Sequence, residues 1–309
     1  MDILDVRIVR EFAQDRGMYP LQSDIRQSSK KVAGKLKIDE ATVRYRIRNL
    51  RGSGFLRSWY VLPNPGLSLL RVAHMRLDIP QVGSTTKQDV IRKIKLIEGV
   101  WMVTNHFGSS MRVVLCFGHE ASLKKQVELI AEISNCDDLL YREIHFPRCT
   151  IELTEHDLML VTSIQTDPTK SYDGIARETG MSNKTAKRRL ERMIRGRALF
   201  VIPSFAPRAL NGAMLAELFV VYDSPENTAG TNDGIASHLD QNLVSAQLGD
   251  PEHTFFLLVI TNISQVNEVL DWVRQQPGVK SAFMDLVEER IEQYEALGQQ
   301  LLATHRPLM

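Results

Sequence analysis

The feature that most constrains this chain is that it repeats itself. Residues 32–50, VAGKLKIDEATVRYRIRNL, lie over residues 175–193, IARETGMSNKTAKRRLERM, at a constant offset of 143. Val32 meets Ile175, Ala33 meets Ala176, Ile38 meets Met181 and Thr42 meets Thr185. Arg44, Arg46, Ile47 and Leu50 meet Lys187, Arg189, Leu190 and Met193. Upstream, LDVRIV (4–9) matches HDLMLV (156–161) at an offset of 152, so the first copy carries nine extra residues within DRGMYPLQSDIRQSS. A duplicated unit must fold the same way twice, so any period assigned to one copy has to suit the other.

That requirement settles VRYRIRNLR (43–51), which taken alone fits both a strand and a helix. Its counterpart KTAKRRLERM has no strand alternation but keeps Ala186, Leu190 and Met193 at helical spacing, so both are helices. Asp39 and Ser182 stand before them as N-caps, and Gly54 and Gly196 lie near their ends. Each copy reads as three helices, over 2–15, 29–37 and 40–52, then 154–166, 171–179 and 183–195. A β-rich stretch follows each, at 55–63 and 198–203. Helices joined by a tight turn and followed by a strand pair make a winged helix-turn-helix.

A β-α-β-β-α-β series comes next in each copy. Strands are expected at 69–79, 101–107, 110–117 and 139–146, with helices at 86–98 and 120–134. In the second copy strands fall at 214–223, 243–248, 253–261 and 280–287, helices at 231–240 and 263–276, and a tail helix at 288–305. This order predicts a ferredoxin-like fold, an antiparallel sheet with both helices on one face. The class is α+β, a tandem repeat of four domains: winged helix-turn-helix at 1–65 and 151–208, ferredoxin-like at 66–150 and 209–309.

Charge enters because it is unevenly placed. The chain of 309 residues has a net charge of +1. Residues 28–57 nevertheless hold nine basic and two acidic side chains, and residues 170–208 hold ten and three. Two basic islands coincide with the third helices, inside an otherwise acidic body. A helix of this kind fits the major groove of DNA. Val43, Ile47 and Leu50 face the core. Ala41, Tyr45, Arg48 and Asn49 point outward toward base edges, and Arg44, Arg46 and Arg51 flank the core face, placed for phosphate. The corresponding outward set is Lys184, Arg188, Glu191 and Arg192, with Thr42, Thr185, Lys187 and Arg189 completing the contact faces. Tyr45 aligns with Arg188, Arg48 with Glu191 and Asn49 with Arg192, so the two helices should read unequal half-sites.

The chain resembles the Lrp/AsnC (feast/famine) transcription regulators. The resemblance lies in LDVRIV, IDEATVRYRIRNLRGSGFLRSWYVLPNPGLS and IEGVWMVT, and in MSNKTAKRRLERMIRGRAL, QPGVKSA and LGDPEHTFFLLVI of the second copy. It covers nearly the whole chain twice, as though two subunits were fused, and its ferredoxin-like modules correspond to the family's RAM-type domains. It implies a sequence-specific transcription regulator acting on double-stranded DNA. It also implies a small effector, such as an amino acid, near the turn joining the second and third strands of each module. Those positions are Gly108 and Ser109 in the first copy, which lacks the acid, and Gly249 and Asp250 in the second.

Other chemistry finds less support. No Ser/His/Asp arrangement or phosphate-cradling glycine loop is visible, the eight histidines are scattered, and Cys116, Cys136 and Cys149 sit at no metal spacing. No cofactor, no metal and no enzymatic activity are expected. The competing enzyme reading is a sirohaem decarboxylase, which looks like the same module pair. VTNHF (103–107) lies where those enzymes carry a histidine strand, but no accompanying cluster of arginine and histidine is apparent in the sequence. An architectural DNA-binding protein is the third reading. The charged start MDILDVRIVREF and the lack of a long apolar run predict a soluble, cytoplasmic protein with no membrane partner. One face of each sheet lacks helices and needs a cover. In the first strand Val72, His74, Arg76 and Asp78 share a face, and in the second copy Leu215, Glu217, Phe219 and Val221 do. The covalent link makes sheet-on-sheet pairing within one chain possible, but the long tail helix and the symmetric association that the resemblance implies favour a homodimer.

Overall fold

The computed structural model describes residues 1–13, 29–80, 86–136, 139–165, 167–248 and 252–303. The first half begins with helices α1 (Ile3–Ala13), α2 (Ser29–Leu36) and α3 (Glu40–Gly52), then strand β1 (Leu56–Pro63). It continues with β2 (Arg71–Asp78), α4 (Lys87–Ile94), β3 (Val100–His106), β4 (Ser110–Phe117), α5 (Glu120–Ser134) and β5 (Leu140–Ile144). The second half runs α6 (Glu155–Ile164), α7 (Tyr172–Thr179), α8 (Asn183–Arg195), β6 (Leu199–Phe205), β7 (Met214–Tyr222), α9 (Pro225–His238), β8 (Leu243–Leu248), β9 (His253–Ile260), α10 (Ser264–Arg274), β10 (Val279–Glu292) and α11 (Tyr294–Ala303). The fold is α+β, combining winged helix-turn-helix units with ferredoxin-like modules.

Four departures from the sequence reading have physical causes. Among the described residues neither winged unit forms a strand pair of its own. Each supplies one strand, and β1 pairs antiparallel with β6, Tyr60 opposite Ile202 and Leu62 opposite Phe200. One two-stranded sheet thus ties the winged units together, and their helices share one apolar core containing Val6, Ile8, Val43, Leu160, Ile175 and Leu190. The predicted tail helix over 288–305 is also different. Residues up to Glu292 extend β10, which pairs with β3 through Arg290 opposite Thr104 and Ile291 opposite Val103. Without this extension β3 would be an exposed edge. Helix α11 begins only at Tyr294. Helix α9 starts at Pro225, earlier than 231, with the proline in the first turn where its missing N–H costs nothing.

The fourth departure decides the assembly. The other eight strands among the described residues form one sheet in the order β5-β2-β4-β3-β10-β7-β9-β8. Strands β2 and β9 have four strands between them, yet His74 of β2 lies 2.7 Å from His253 of β9. The sheet is therefore coiled strongly enough for its halves to face each other, an extreme of ordinary sheet twist. Helices α4 and α5 cover the outer face of the first half around Val90, Ile94, Leu123 and Ile130. Helices α9 and α10 cover the second around Ile235, Leu239 and Val273. The helix-free faces cover one another. The need that argued for a second chain is met inside one chain, so the sheet-face argument for a homodimer falls away.

Candidate nucleic-acid interface

Helix α8 opens with Ser182, whose hydroxyl accepts from the Thr185 amide at 3.2 Å. Asp39 occupies the same place before α3 in extended backbone, but its carboxylate makes no capping bond. The core sides are as the spacing predicts: Val43 and Leu50 are buried on α3, and Ala186, Leu190 and Met193 on α8. Ala41, Arg44, Tyr45, Arg48, Asn49 and Arg51 are exposed, Tyr45 to 59%. Lys184, Lys187 and Arg188 are exposed on α8, with Thr42 and Thr185 half-buried at the two helix starts.

The flanking arginines divide into two kinds. Arg46 reaches back to α1, placing Nη1 2.6 Å from Asp2 Oδ2 and 3.3 Å from Asp5 Oδ1. Arg189 does the same to α6, with Nη1 3.0 Å from Asp157 Oδ1, and Arg192 Nη2 lies 2.5 Å from Asp157 Oδ2. Asp157 is fully buried. Burial pushes its carboxyl up, but hydrogen bonds from Thr154 and Arg189 and the charge of Arg192 outweigh that and hold it below the usual carboxylate range. Asp2 is likewise held low, its slight burial outweighed by the Asp5 amide and the Arg46 guanidinium. These arginines fasten the third helix of each unit to its first. Arg192, expected among the outward base-reading set, is thus turned inward to an acid that needs it. Among the described residues Arg44 is held only by half-buried Glu40, at 2.8 Å. Arg48, Arg51, Lys184, Lys187 and Arg188 have no partner among the described residues.

The expected effector positions look like turn geometry. Gly108 has φ +80°, its carbonyl accepts from Lys87 Nζ at 3.0 Å, and the Ser109 hydroxyl donates to Asp78 at 3.3 Å. Gly249 and Asp250 lie outside the described residues.

Between the facing sheet halves sits a charged cluster that sequence reasoning missed. Glu217 of β7, fully buried, accepts from Arg112 of β4 at 2.7 and 2.5 Å, and its Oε2 lies 2.9 Å from His106 Nε2. Arg112 also lies over the Phe255 ring, 4.4 Å from its centre. Arg76 bonds Asp285 at 2.7 Å, and Ser110 donates to the same carboxylate at 2.9 Å. Burial pushes Glu217 up, but the Arg112 charge and hydrogen bonds overwhelm it and leave the carboxylate ionised far below its ordinary range. Burial pushes His74 well down, reinforced by the neighbouring His253 and Arg112. The two facing ring nitrogens at 2.7 Å require that one donate and the other accept. The reading that no arginine–histidine cluster exists is therefore corrected: strands far apart in sequence assemble one. Its signal was visible as polar residues on otherwise apolar strands. His74 and Arg76 alternate on one face of β2, Arg112 pairs opposite Arg76, and Glu217 is the lone acid in MLAELFVVY.

Residues 153–196 match a family of winged helix-turn-helix DNA-binding domains. No curated protein matches the chain. Among solved structures, the crystal structure of the siroheme decarboxylase NirDL is similar over 97% of this chain and 98% of its own, at 14% identity and a TM-score of 0.52. Escherichia coli AsnC is similar over 44% of this chain and 93% of its own, at 15% identity and a TM-score of 0.35. The Mycobacterium tuberculosis leucine response regulatory protein LrpA covers 43% of this chain and 91% of its own, at 16% identity and a TM-score of 0.33. The chain thus contains a winged helix-turn-helix DNA-binding domain and is similar over part of its length to Lrp/AsnC regulators. The expectation of no enzymatic activity is overturned by the first of these likenesses, because the fold spanning the whole chain is one that an enzyme also uses. No helix among the described residues is long and apolar enough to cross a membrane.

Proposed function

We propose that this protein is a sequence-specific transcription regulator that inserts α3 and α8 into the major groove of double-stranded DNA. The observation that carries it is the set of exposed cations on the outer faces of both helices, Arg48, Arg51, Lys184, Lys187 and Arg188, which no described acid neutralises. A cation left unpaired on a rigid helix, beside cations of the same helix that are paired, is available to phosphates and base edges. The match of residues 153–196 to a DNA-binding family supports this for α8. The repeat of the same element order in both halves supports an origin by duplication, with domains at 1–65, 66–150, 151–208 and 209–309. Since β1 and β6 join the winged units, one chain already presents two unlike reading helices. Selection of bound sequences from a random DNA library tests the reading. A discrete asymmetric site is the expected result; uniform coating would point to an architectural role, and no binding would defeat both.

A second reading has one observation in its favour, the full-length likeness to a siroheme decarboxylase together with the buried His74, His106, Arg112 and His253. Under it the facing sheets would hold a tetrapyrrole and remove carboxyl groups from its side chains. The cavity of about 70 Å³ beside this cluster is lined by Arg112, whereas His74, His106 and His253 are not among its lining residues. Titration with sirohaem, followed by its visible absorption, tests this separately from DNA binding.

A further inference from the structure

The turn between α2 and α3 carries a lysine where a glycine would fit better. Helix α2 closes with the Ile38 amide donating to the Ala33 carbonyl at 3.0 Å. A bond reaching back five residues marks a Schellman ending, which puts one residue, usually glycine, in the left-handed region. Here that residue is Lys37, with φ +56°. At the offset of 143 the second copy has Gly180, with φ +67°. Glycine holds this conformation without strain, whereas a β-carbon crowds the following carbonyl.

Leu69 and Asn135 share the left-handed region, so conformation alone assigns nothing. Position and charge do. Lys37 stands two residues before Asp39, the N-cap of α3. It is therefore beside the end of the reading helix whose residues meet base edges. Lys37 is exposed, and its ammonium has no partner among the described residues. Arg197, also left-handed at φ +59°, differs: it is half-buried, and its carbonyl accepts from Asn64 at 2.8 Å. Helix α2 shows the same bias. Lys30 lies in its first turn, where the helix dipole disfavours a cation, and it too is exposed with no partner among the described residues. Its counterpart is Asp173, in the first turn of α7, where an acid is favoured. The first unit thus keeps two locally unfavourable lysines where the second has a favourable glycine and aspartate.

We infer that Lys37 grips a DNA phosphate beside the N-terminal end of α3, a contact that the second winged unit lacks. The inference rests on the DNA reading above. The phosphate supplies the anion that the turn lacks, and the contact offsets strain carried by the free protein. A lysine ammonium on phosphate carries no sequence information, so the contact adds affinity and leaves selectivity alone.

The test is fluorescence anisotropy of the full chain on its selected duplex and on an unrelated duplex, across a range of salt, with thermal denaturation alongside. Lys37→Gly should raise the melting temperature by about 2 °C, because strain is relieved. The same variant should bind both duplexes about fivefold more weakly at about 0.15 M salt, with the slope of log affinity against log salt reduced by about one unit. Lys37→Asn, which tolerates the left-handed region, should weaken binding in the same way. Lys37→Arg keeps the charge and should keep the slope. A gain in stability joined to a loss of affinity separates this role from a structural one. An unchanged slope in Lys37→Gly, on a duplex that the unaltered chain binds, would overturn the contact and leave the DNA reading standing. No binding of either duplex by the unaltered chain would defeat that reading and the contact with it. A lower melting temperature in both Lys37→Gly and Lys37→Asn would show that the fold itself holds the lysine, and would overturn the inference.

Discussion

The inner faces of the coiled sheet and the outer faces of α3 and α8 are both rich in charge, and they treat it in opposite ways. Inside, Arg112 and Arg76 each have a carboxylate, and Glu217 is shared by an arginine and a histidine. Outside, Arg48, Arg51, Lys187 and Arg188 have none among the described residues. Burial explains the difference. An unpaired charge in the interior costs several kcal/mol, so only matched groups persist there. In water the same charge is tolerated, and pairing is a choice. Arg46, Arg189 and Arg192 lie between these limits, half-buried and tied to Asp2, Asp5 and Asp157. The contrast teaches that a basic helix is not a uniform surface. Its cations divide by angle into those that hold the helix in place and those left for a partner.

The largest effect that would break this contrast comes from the interior. Glu217→Ala leaves Arg112 buried without its carboxylate and should destabilise the protein by about 3–5 kcal/mol, measured by urea unfolding. DNA affinity per folded molecule should not change. A loss below about 1 kcal/mol would mean that the pair is hydrated. The same cluster predicts a pH dependence. His74 is held well below its ordinary value in the folded protein, so below about pH 6.5 the unfolded chain binds the proton more readily. Stability should therefore be full above that pH and decline as pH falls through it. His74→Phe should flatten the decline, and an unchanged profile in that variant would assign it to other groups.

Next in size is the clamp between the first and third helices. Asp157→Asn removes the charge that both Arg189 and Arg192 face, and hydrogen bonds to a charged group are worth about 1.5–3 kcal/mol. A loss in that range is expected in thermal unfolding. Arg46→Ala should cost less, because Asp2 is half in water and Arg46 is shared between two acids. Equal losses would mean that the two winged units are fastened alike.

Much of this organisation was legible in the sequence, and what was not has a common cause. The helical period of α3 and α8 could be read because apolar spacing is local and two copies had to agree. The ferredoxin-like element order was readable for the same reason. The pairing of β1 with β6 was not, because a strand run fixes neither its partner nor whether that partner is its neighbour. The continuation of β10 to Glu292 was misread because EERIE suits a helix end, whereas the open edge of β3 selects a strand. The partners of Arg192 and Arg112 depend on contacts 35 and 105 residues away. No periodicity within one element reports such contacts.

At the outer faces the effects are smaller in stability and larger in selectivity. Arg48→Ala and Arg188→Ala should each alter stability by less than about 0.5 kcal/mol. Each should relax discrimination at its own base position by about 1–3 kcal/mol, read from competition among single-base variants of the selected site. Because Arg48 aligns with Glu191 and Arg188 with Tyr45, the relaxed positions should fall in different halves of the site. Relaxation of the same positions by both variants would remove the idea of unequal half-sites.

The smallest effect sharpens the boundary between positioning and reading. Arg44 is exposed, flanks the core face of α3 and among the described residues is held only by half-buried Glu40 one turn earlier. Such i,i+4 pairs contribute about 0.3–0.5 kcal/mol, so DNA phosphate can take the guanidinium at little cost. Arg44→Ala should weaken binding similarly on every sequence tested and reduce the slope of log affinity against log salt by about one unit. Glu40→Ala should act in the opposite direction, removing a competing carboxylate and a local negative charge, and should strengthen binding slightly at low salt. If Arg44→Ala instead changes sequence preference at constant slope, Arg44 belongs with Arg48 among the base-reading residues. The division of the helix by angle would then have to be redrawn with a wider reading face.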